Sequence, residues 1–175
     1  KSPRNRLVAA RLQSAGYATL LFDLLTPDEE RIDARTAHLR FDIPLLARRL
    51  SDATVWACQR PLTRDLPFGY FGASTGAAAA LVAAAENPEQ VRGIVSRGGR
   101  PDLAGESLEK VTVPTLLIVG GADTEVIDLN ERALQRMHAK VRLEIVEGAT
   151  HLFEEPGALE DVSTLAIEWF DRYLR

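Results

Sequence analysis

Short apolar runs rich in β-branched residues alternate along the chain with longer segments whose apolar positions fall three or four residues apart. The runs predict buried strands, and the three-to-four spacing predicts helices that pack on a sheet. The predicted strands are Tyr17–Asp23, Pro67–Gly72, Val91–Ser96, Pro114–Gly120 and Val141–Val146. The predicted helices are Arg4–Ala15, Asp42–Cys58, Thr75–Glu86, Ile127–Ala139 and Gly157–Leu174. This alternation is typical of an α/β fold in which helices cover both faces of a mainly parallel sheet.

One segment departs from this alternation. Leu24–Phe41 is polar and long for a connection between a strand and a helix, so it is predicted to be a loop, and its role stays open. No internal repeat and no Pro/Gly/Ser-rich linker divides the sequence. Residues 1–175 are therefore interpreted as one domain.

Composition and charge remove several classes of function. The chain has 175 residues, 46% of them hydrophobic, and a formal net charge of −4, with its Arg residues scattered. Such a balance disfavours a nucleic-acid partner, which would attract clustered Lys and Arg. The longest apolar run, Ala77–Ala85, is far shorter than the roughly 20 residues of a membrane-spanning helix. We therefore expect neither nucleic acid nor membrane as a partner, and the oligomeric state stays open.

Cysteine content indicates the compartment. Cys58 is the single cysteine, so intramolecular disulfides and cysteine-based zinc sites are excluded, and we interpret Cys58 as a packing residue. A chain without disulfides fits a reducing compartment, which predicts a cytoplasmic location. The sequence begins at Lys1 without an initiator Met, which leaves open a signal peptide ahead of it.

The motif that points to chemistry lies between a predicted strand and a predicted helix. Residues 72–76 read Gly-Ala-Ser-Thr-Gly, which is G-x-S-x-G. In this motif a sharp strand-to-helix turn exposes the serine hydroxyl, and Gly72 and Gly76 are expected to supply the space that the turn requires. The amides at the start of the following helix face the position where a tetrahedral intermediate would carry negative charge. Ser74 is the predicted nucleophile.

A serine nucleophile needs a base and a carboxylate that orients the base, which follow Ser in the order Asp/Glu, then His. His151 comes after the strand Val141–Val146, and it fits the base role better than His38 or His138. Asp123 comes after the strand Pro114–Gly120. The carboxyl ends of parallel strands share one edge of the sheet, so these side chains are expected to meet Ser74 there. Two acidic residues close to Asp123 are alternatives for the carboxylate: Glu125 and Asp128.

Taken together, the segments GASTG, GGADTEV and GATHLFEEPG resemble the α/β-hydrolase superfamily, and within it the dienelactone-hydrolase-like branch, some members of which accompany phosphoribosyltransferases. The resemblance covers nearly the whole chain. It implies a three-layer α/β/α sandwich, with Ser74 as nucleophile, His151 as general base and acid, and Asp123 as its orienting carboxylate. It also implies that the backbone N–H of Thr75 is one oxyanion donor.

Two departures from the family pattern carry consequences. Dienelactone hydrolase itself uses a cysteine where this chain has Ser74, which points to broader ester chemistry. The family also places a central strand, and the loop with the second oxyanion donor, ahead of the first helix. The chain is therefore expected to be an N-terminally incomplete domain that lacks the N-terminal strands and this second donor.

The resulting prediction is a serine hydrolase of small-molecule carboxylic esters that requires no cofactor and no metal. The same triad serves acyltransferases and peptidases, and a non-catalytic interaction module with this fold is the alternative from another class. Arg97 and Arg100 follow the strand Val91–Ser96 and are candidates to bind an anionic group of the substrate.

Overall fold

A computed structural model describes residues 2–175, and a four-stranded parallel sheet forms its centre. The strands are β1 (Phe68–Ala73), β2 (Val91–Arg97), β3 (Thr115–Gly120) and β4 (Val141–Val146), and they lie side by side in chain order. The predicted α/β class is confirmed, and each of these strands lies within a residue of its predicted bounds. Because all four strands run in the same direction, their carboxyl ends share one edge of the sheet.

Helices cover both faces of the sheet. They are α1 (Pro3–Ser14), α2 (Pro27–Thr36), α3 (Ile43–Cys58), α4 (Thr75–Glu86), α5 (Thr124–Arg136) and α6 (Ala158–Tyr173), with 3₁₀ segments at Leu39–Phe41 and Pro101–Lys110. The five predicted helices are confirmed, although α5 begins three residues before the predicted Ile127. None of the helices in residues 2–175 is long and apolar enough to cross a membrane.

Neighbouring residues of β2 point to opposite faces of the sheet. Ile94 packs in the core beneath α3 and α4, whereas Val95 packs in the core beneath α1 and α6. The alanines at the centre of α4 are fully buried, and their small side chains let the helix lie close to the sheet. This close packing fixes the start of α4 at the carboxyl edge of β1.

The prediction of a strand over Tyr17–Asp23 is wrong. These residues form no regular secondary structure and pair with no strand among residues 2–175, and Leu20 is 55% exposed. A strand exists only through its ladder of backbone hydrogen bonds, so an apolar pattern without a neighbouring strand cannot form one. Side chains hold the segment instead, since the Tyr17 hydroxyl donates to Asp171 Oδ1 at 2.6 Å.

The prediction that Leu24–Phe41 is entirely loop is also wrong, because it contains α2. Thr26 and Glu29 form a capping box at the start of this helix. Arg49 of α3 donates to Glu29 at 2.6 Å and to the Leu24 carbonyl at 2.7 Å. The hydrogen bond from Arg49 is the main cause that lowers the pKa of Glu29 to about 2. Ion pairs therefore order this polar segment.

Candidate active site

Ser74 lies on a sharp bend between β1 and α4. Its backbone has φ 51° and ψ −123°, a conformation that side-chain-bearing residues rarely adopt. A Cβ on Gly72 would lie 2.5 Å from the Gly76 carbonyl oxygen and 2.6 Å from the Ala77 Cα, so the first glycine of the motif is required for space. The expectation that Gly76 is required for the same reason is wrong, since a Cβ there would meet nothing within 4 Å.

The two glycines of the motif should respond differently to the same substitution. Gly72→Ala is expected to lower the free energy of unfolding by about 2–4 kcal/mol, because the added methyl collides with backbone that cannot move aside. Gly76→Ala is expected to leave it unchanged or raise it by about 0.5 kcal/mol, because alanine favours a helix more than glycine does. Urea denaturation of both variants checks this. Equal destabilisation by the two alanines would contradict the steric account.

The end of β2 and the loop after it hold the backbone of Ser74. The Ser74 N–H donates to the Arg97 carbonyl at 3.3 Å, and the Arg100 N–H donates to the Ser74 carbonyl at 3.2 Å. The loop is itself fixed by Asn130 of α5, whose buried side-chain amide donates to the Gly99 carbonyl at 3.1 Å. Asn130 is not among the predicted site residues, since nothing in the helical pattern marks it.

His151 and Asp123 meet at the same edge of the sheet. His151 Nδ1 and Asp123 Oδ2 are 2.7 Å apart, with side chains that are 38% and 16% exposed. The loop before His151 approaches β3 so closely that a Cβ on Gly120 would lie 2.4 Å from the Ala149 carbonyl oxygen. A Cβ on Gly98 would lie 3.6 Å from His151 Cε1, so the loop that bonds Ser74 passes close to the imidazole.

The other candidate triad residues lie elsewhere. Glu125 and Asp128 are exposed within α5. His38 is also exposed and contacts Thr36 Oγ1 at 2.7 Å, and His138 is exposed after α5. Asp123 occupies the N-cap position of α5, yet its side chain makes no capping hydrogen bond and turns to His151 instead.

Ser74 follows β1 and His151 follows β4, so both lie after the carboxyl ends of strands of the same sheet. Within residues 2–175, no hydrogen bond links the Ser74 hydroxyl to the imidazole. Hydrogen bonds between nucleophile and base are often long without substrate and shorten when it binds. The arrangement therefore offers a hydroxyl on a strained backbone and a partly exposed imidazole whose Nδ1 is oriented by a carboxylate.

Arg97 and Arg100, the two arginines that the sequence predicted to bind substrate, differ in whether their guanidinium groups are paired. Arg100 forms a two-pronged ion pair with Asp102, with N–O distances of 2.8 and 2.7 Å, so its charge is already balanced. Arg97 is only 7% exposed, and its Nη1 is buried without a hydrogen-bond partner. Burial lowers the pKa of Arg97 to about 10, and the charge of Arg4 adds to the effect.

No metal site is evident within the part of the chain that the structure describes. Among residues 2–175, no three His, Cys, Asp or Glu side chains come together in a group that could hold a metal ion.

Two curated relatives come from Mycobacterium tuberculosis, and their names propose a phosphoribosyl transferase. Each is 61% identical to this chain over 173 residues, which cover 99% of the chain. The chain spans only 38% of the length of either relative.

Solved structures with the same fold include a dienelactone hydrolase from Anabaena variabilis, which is 63% identical with a TM-score of 0.96 and matches 99% of this chain and 81% of its own. An esterase domain from Rhodothermus marinus is 19% identical with a TM-score of 0.75, over 98% of this chain and 80% of its own, and so shows the α/β-hydrolase fold alone. The model of the dienelactone hydrolase family matches residues 2–174. The resemblance drawn from the three motifs is thereby confirmed: this chain belongs to the dienelactone hydrolase family, a family of hydrolases.

Proposed function

We propose that the protein is a serine hydrolase of carboxylic esters, with Ser74 as nucleophile, His151 as general base and Asp123 as the carboxylate that orients it. The 2.7 Å contact between His151 Nδ1 and Asp123 Oδ2, at the edge of the sheet where the strained bend at Ser74 also lies, is the observation that carries the proposal. A carboxylate on Nδ1 fixes the tautomer whose other nitrogen accepts a proton.

In the first half of the reaction, the Ser74 oxygen attacks the ester carbonyl while Nε2 of His151 takes its proton. The tetrahedral intermediate collapses to an acyl-serine, and the imidazolium returns the proton to the departing alcohol. Asp123 stabilises the imidazolium and keeps its own charge. In the second half, His151 deprotonates a water molecule that attacks the acyl group, and Ser74 recovers its proton as the acid leaves.

The start of α4 supports the proposal electrostatically. The first amides of a helix lack intrahelical acceptors, and the helix dipole adds positive potential at the same point. The Thr75 N–H directly follows Ser74 in the chain, which suits it to receive the negative oxygen of the intermediate. A group that stabilises the intermediate more than the ester ground state accelerates the chemical step.

Hydrolysis is favoured over acyl transfer to another acceptor because the family is one of hydrolases. The phosphoribosyl transfer proposed by the names of the mycobacterial relatives concerns proteins of which this chain spans 38%. The nucleophile in this proposal is the hydroxyl of Ser74. A hydroxyl requires general-base activation at neutral pH, whereas a thiol ionises readily, so the serine makes His151 indispensable.

Reaction with a fluorophosphonate probe tests the proposal. We expect stoichiometric labelling of the full protein, with the probe located on the peptide that contains Ser74 by mass spectrometry. A p-nitrophenyl ester should be hydrolysed with a burst whose amplitude equals the enzyme concentration if deacylation is rate-limiting. Absence of both labelling and hydrolysis would instead favour a non-catalytic interaction module.

A further inference from the structure

A buried asparagine of α5 bonds the loop that holds the proposed nucleophile. Asn130 is 0% exposed, and its Oδ1 has no hydrogen-bond partner among residues 2–175. Its side-chain NH₂ donates to the Gly99 carbonyl at 3.1 Å and, one turn earlier in its own helix, to the Val126 carbonyl at 2.7 Å. Both amide hydrogens are thereby used. Burial of a polar side chain is costly, so an apolar residue would fill position 130 better if it served packing alone.

The 97–100 segment, which is the end of β2 and the loop after it, bonds the backbone of Ser74 at two points. The Ser74 N–H donates to the Arg97 carbonyl at 3.3 Å, and the Arg100 N–H donates to the Ser74 carbonyl at 3.2 Å. Gly99, whose carbonyl accepts from α5, lies between these two bonds in the chain. The hydrogen bond from α5 therefore holds the segment at its centre.

The same segment passes close to the proposed base. A Cβ on Gly98 would lie 3.1 Å from the His151 carbonyl oxygen and 3.6 Å from Cε1 of its ring. Gly98 has a φ of +49°, which glycine adopts without strain, and its N–H donates to the Ile118 carbonyl of β3 at 2.7 Å. A displacement of the 97–100 segment would therefore move the backbone of Ser74 relative to His151.

α5 connects this segment to the other part of the proposed triad. Asp123, at the N-cap of α5, contacts His151 Nδ1 at 2.7 Å. Asn130 follows seven residues later, which is two helical turns, so it lies on the same face of the helix about 10 Å along the axis. Val126 and Ala133 share this face and are buried. Because a packed helix is rigid, the two polar side chains keep a fixed separation.

We propose that Asn130 is a positioning residue for Ser74. Its hydrogen bond to Gly99 holds the 97–100 segment, and through it the backbone of the nucleophile, where the hydroxyl can pass its proton to His151. This inference rests on the proposed function, but the hold on the segment does not require turnover. Among residues 2–175, Asn130 bonds to no member of the proposed triad, so its loss should act on kcat through geometry.

Replacement of Asn130 by leucine, which has a similar shape and no donor, tests the kinetic step. We expect Asn130→Leu to lower kcat of the full protein for p-nitrophenyl butyrate about 10- to 100-fold, with a change in KM below about twofold. The acidic midpoint of the pH profile of kcat/KM should not move, because the contact between Asp123 and His151 is untouched. Asn130→Ala removes the same donor and should show the same pattern if the leucine variant does not fold.

Ala133→Gly is the matched control for a general loosening of α5. Ala133 is 2% exposed and lies on the same buried face of the helix as Asn130. Glycine weakens a helix interior, so the melting temperature of this variant should fall by about 2–6 °C, whereas kcat at 25 °C should change less than about twofold. A loss of kcat in Ala133→Gly equal to that in Asn130→Leu would show that helix stability, and not the bond to Gly99, controls the rate.

Amide hydrogen exchange followed by NMR tests the positioning step without catalysis. In Asn130→Leu, the N–H groups of Ser74 and Arg100 should exchange at least about 10-fold faster than in the parent protein, because the bonds that protect them involve the 97–100 segment. Exchange in β3 serves as the reference for global unfolding and should stay unchanged. Ala133→Gly should leave the ratio between these amides and β3 as it is in the parent protein.

Three outcomes would overturn the proposal. Unchanged exchange at Ser74 and Arg100 in Asn130→Leu would show that the segment is held without the asparagine. An unchanged kcat would show that its hold has no effect on the reaction, and a shifted acidic midpoint would show that the substitution acts through His151 instead. The catalytic proposal fails separately if the fluorophosphonate does not label Ser74, and hydrogen exchange then still decides whether Asn130 holds the segment.

Discussion

Replacement of Ser74 by alanine is expected to lower kcat for a p-nitrophenyl ester by about 10⁴- to 10⁶-fold and to abolish fluorophosphonate labelling. Alanine removes the oxygen that forms the acyl bond, so only electrostatic and binding contributions remain. Steady-state hydrolysis and in-gel labelling of purified protein measure the two effects. His151→Ala should lose about as much, because the members of a triad act as one unit and their losses do not add.

The Ser74→Ala variant must also be shown to be folded in the same samples. Ser14→Ala is the matched control, because Ser14 is an exposed serine at the end of α1 whose hydroxyl bonds only to the Ala10 carbonyl. This variant should be labelled at the rate of the parent protein. Persistent labelling of Ser74→Ala, with a circular dichroism spectrum like that of the parent, would show that another residue is the nucleophile.

The second large effect is expected from Asp123→Asn, which should lower kcat by about 10⁴-fold with little change in melting temperature. The amide matches the carboxylate in size but is neutral, and its NH₂ can pair with Nδ1 in the opposite tautomer. The imidazole would then present a proton, rather than a lone pair, towards Ser74. Loss of the charge also removes the stabilisation of the imidazolium that forms during the reaction.

Asp128→Asn provides the comparison for this substitution. Asp128 lies exposed on α5, five residues beyond Asp123, so its loss of charge should change kcat less than twofold. The rate of fluorophosphonate labelling should follow kcat in both variants. If Asp128→Asn were the slower enzyme, the carboxylate that serves His151 during turnover would not be Asp123.

The strands and helices that the sequence predicted correctly are those whose burial and ends are marked by local sequence. β2 and β3 are almost wholly buried and rich in β-branched or apolar residues, and α4 is an alanine-rich helix with Asn87-Pro88 after its end, so periodicity and turn residues located all three. Tyr17–Asp23 has the same apolar character as these strands. Its state depends on whether another strand lies beside it, and local sequence does not contain that information.

α2 could have been found. The segment from Thr26 to Glu29 contains a capping threonine, a proline at the first helical position and a glutamate three residues after the cap, which is the usual signal for the start of a helix. The polar composition of Leu24–Phe41 leaves α2 without amphipathic periodicity to mark it. α2 is held by Arg49 instead of an apolar face, so hydrophobic patterning had little to detect.

The residue types of the candidate site could be predicted from the sequence. The steric contacts and the burial of its residues could not. Motif spacing and strand ends pointed to Ser74, Asp123 and His151, since parallel strands align their carboxyl ends. The collision that makes Gly72 necessary, and the empty space beside Gly76, depend on where α4 crosses β1. The burial of Arg97 depends on the tertiary packing around the end of β2. Such tertiary contacts leave no local pattern.

The positive φ of Ser74 means that the residue proposed to be required for catalysis also lowers the stability of the fold. Glycine adopts such a backbone freely, so a chain with glycine at position 74 would have no penalty at the bend, yet it would have no hydroxyl either. A selection for heat tolerance that ignored turnover would tend to replace the very side chain on which the chemistry is proposed to depend. Variants isolated in such a screen should therefore be assayed for hydrolysis before they are regarded as improved.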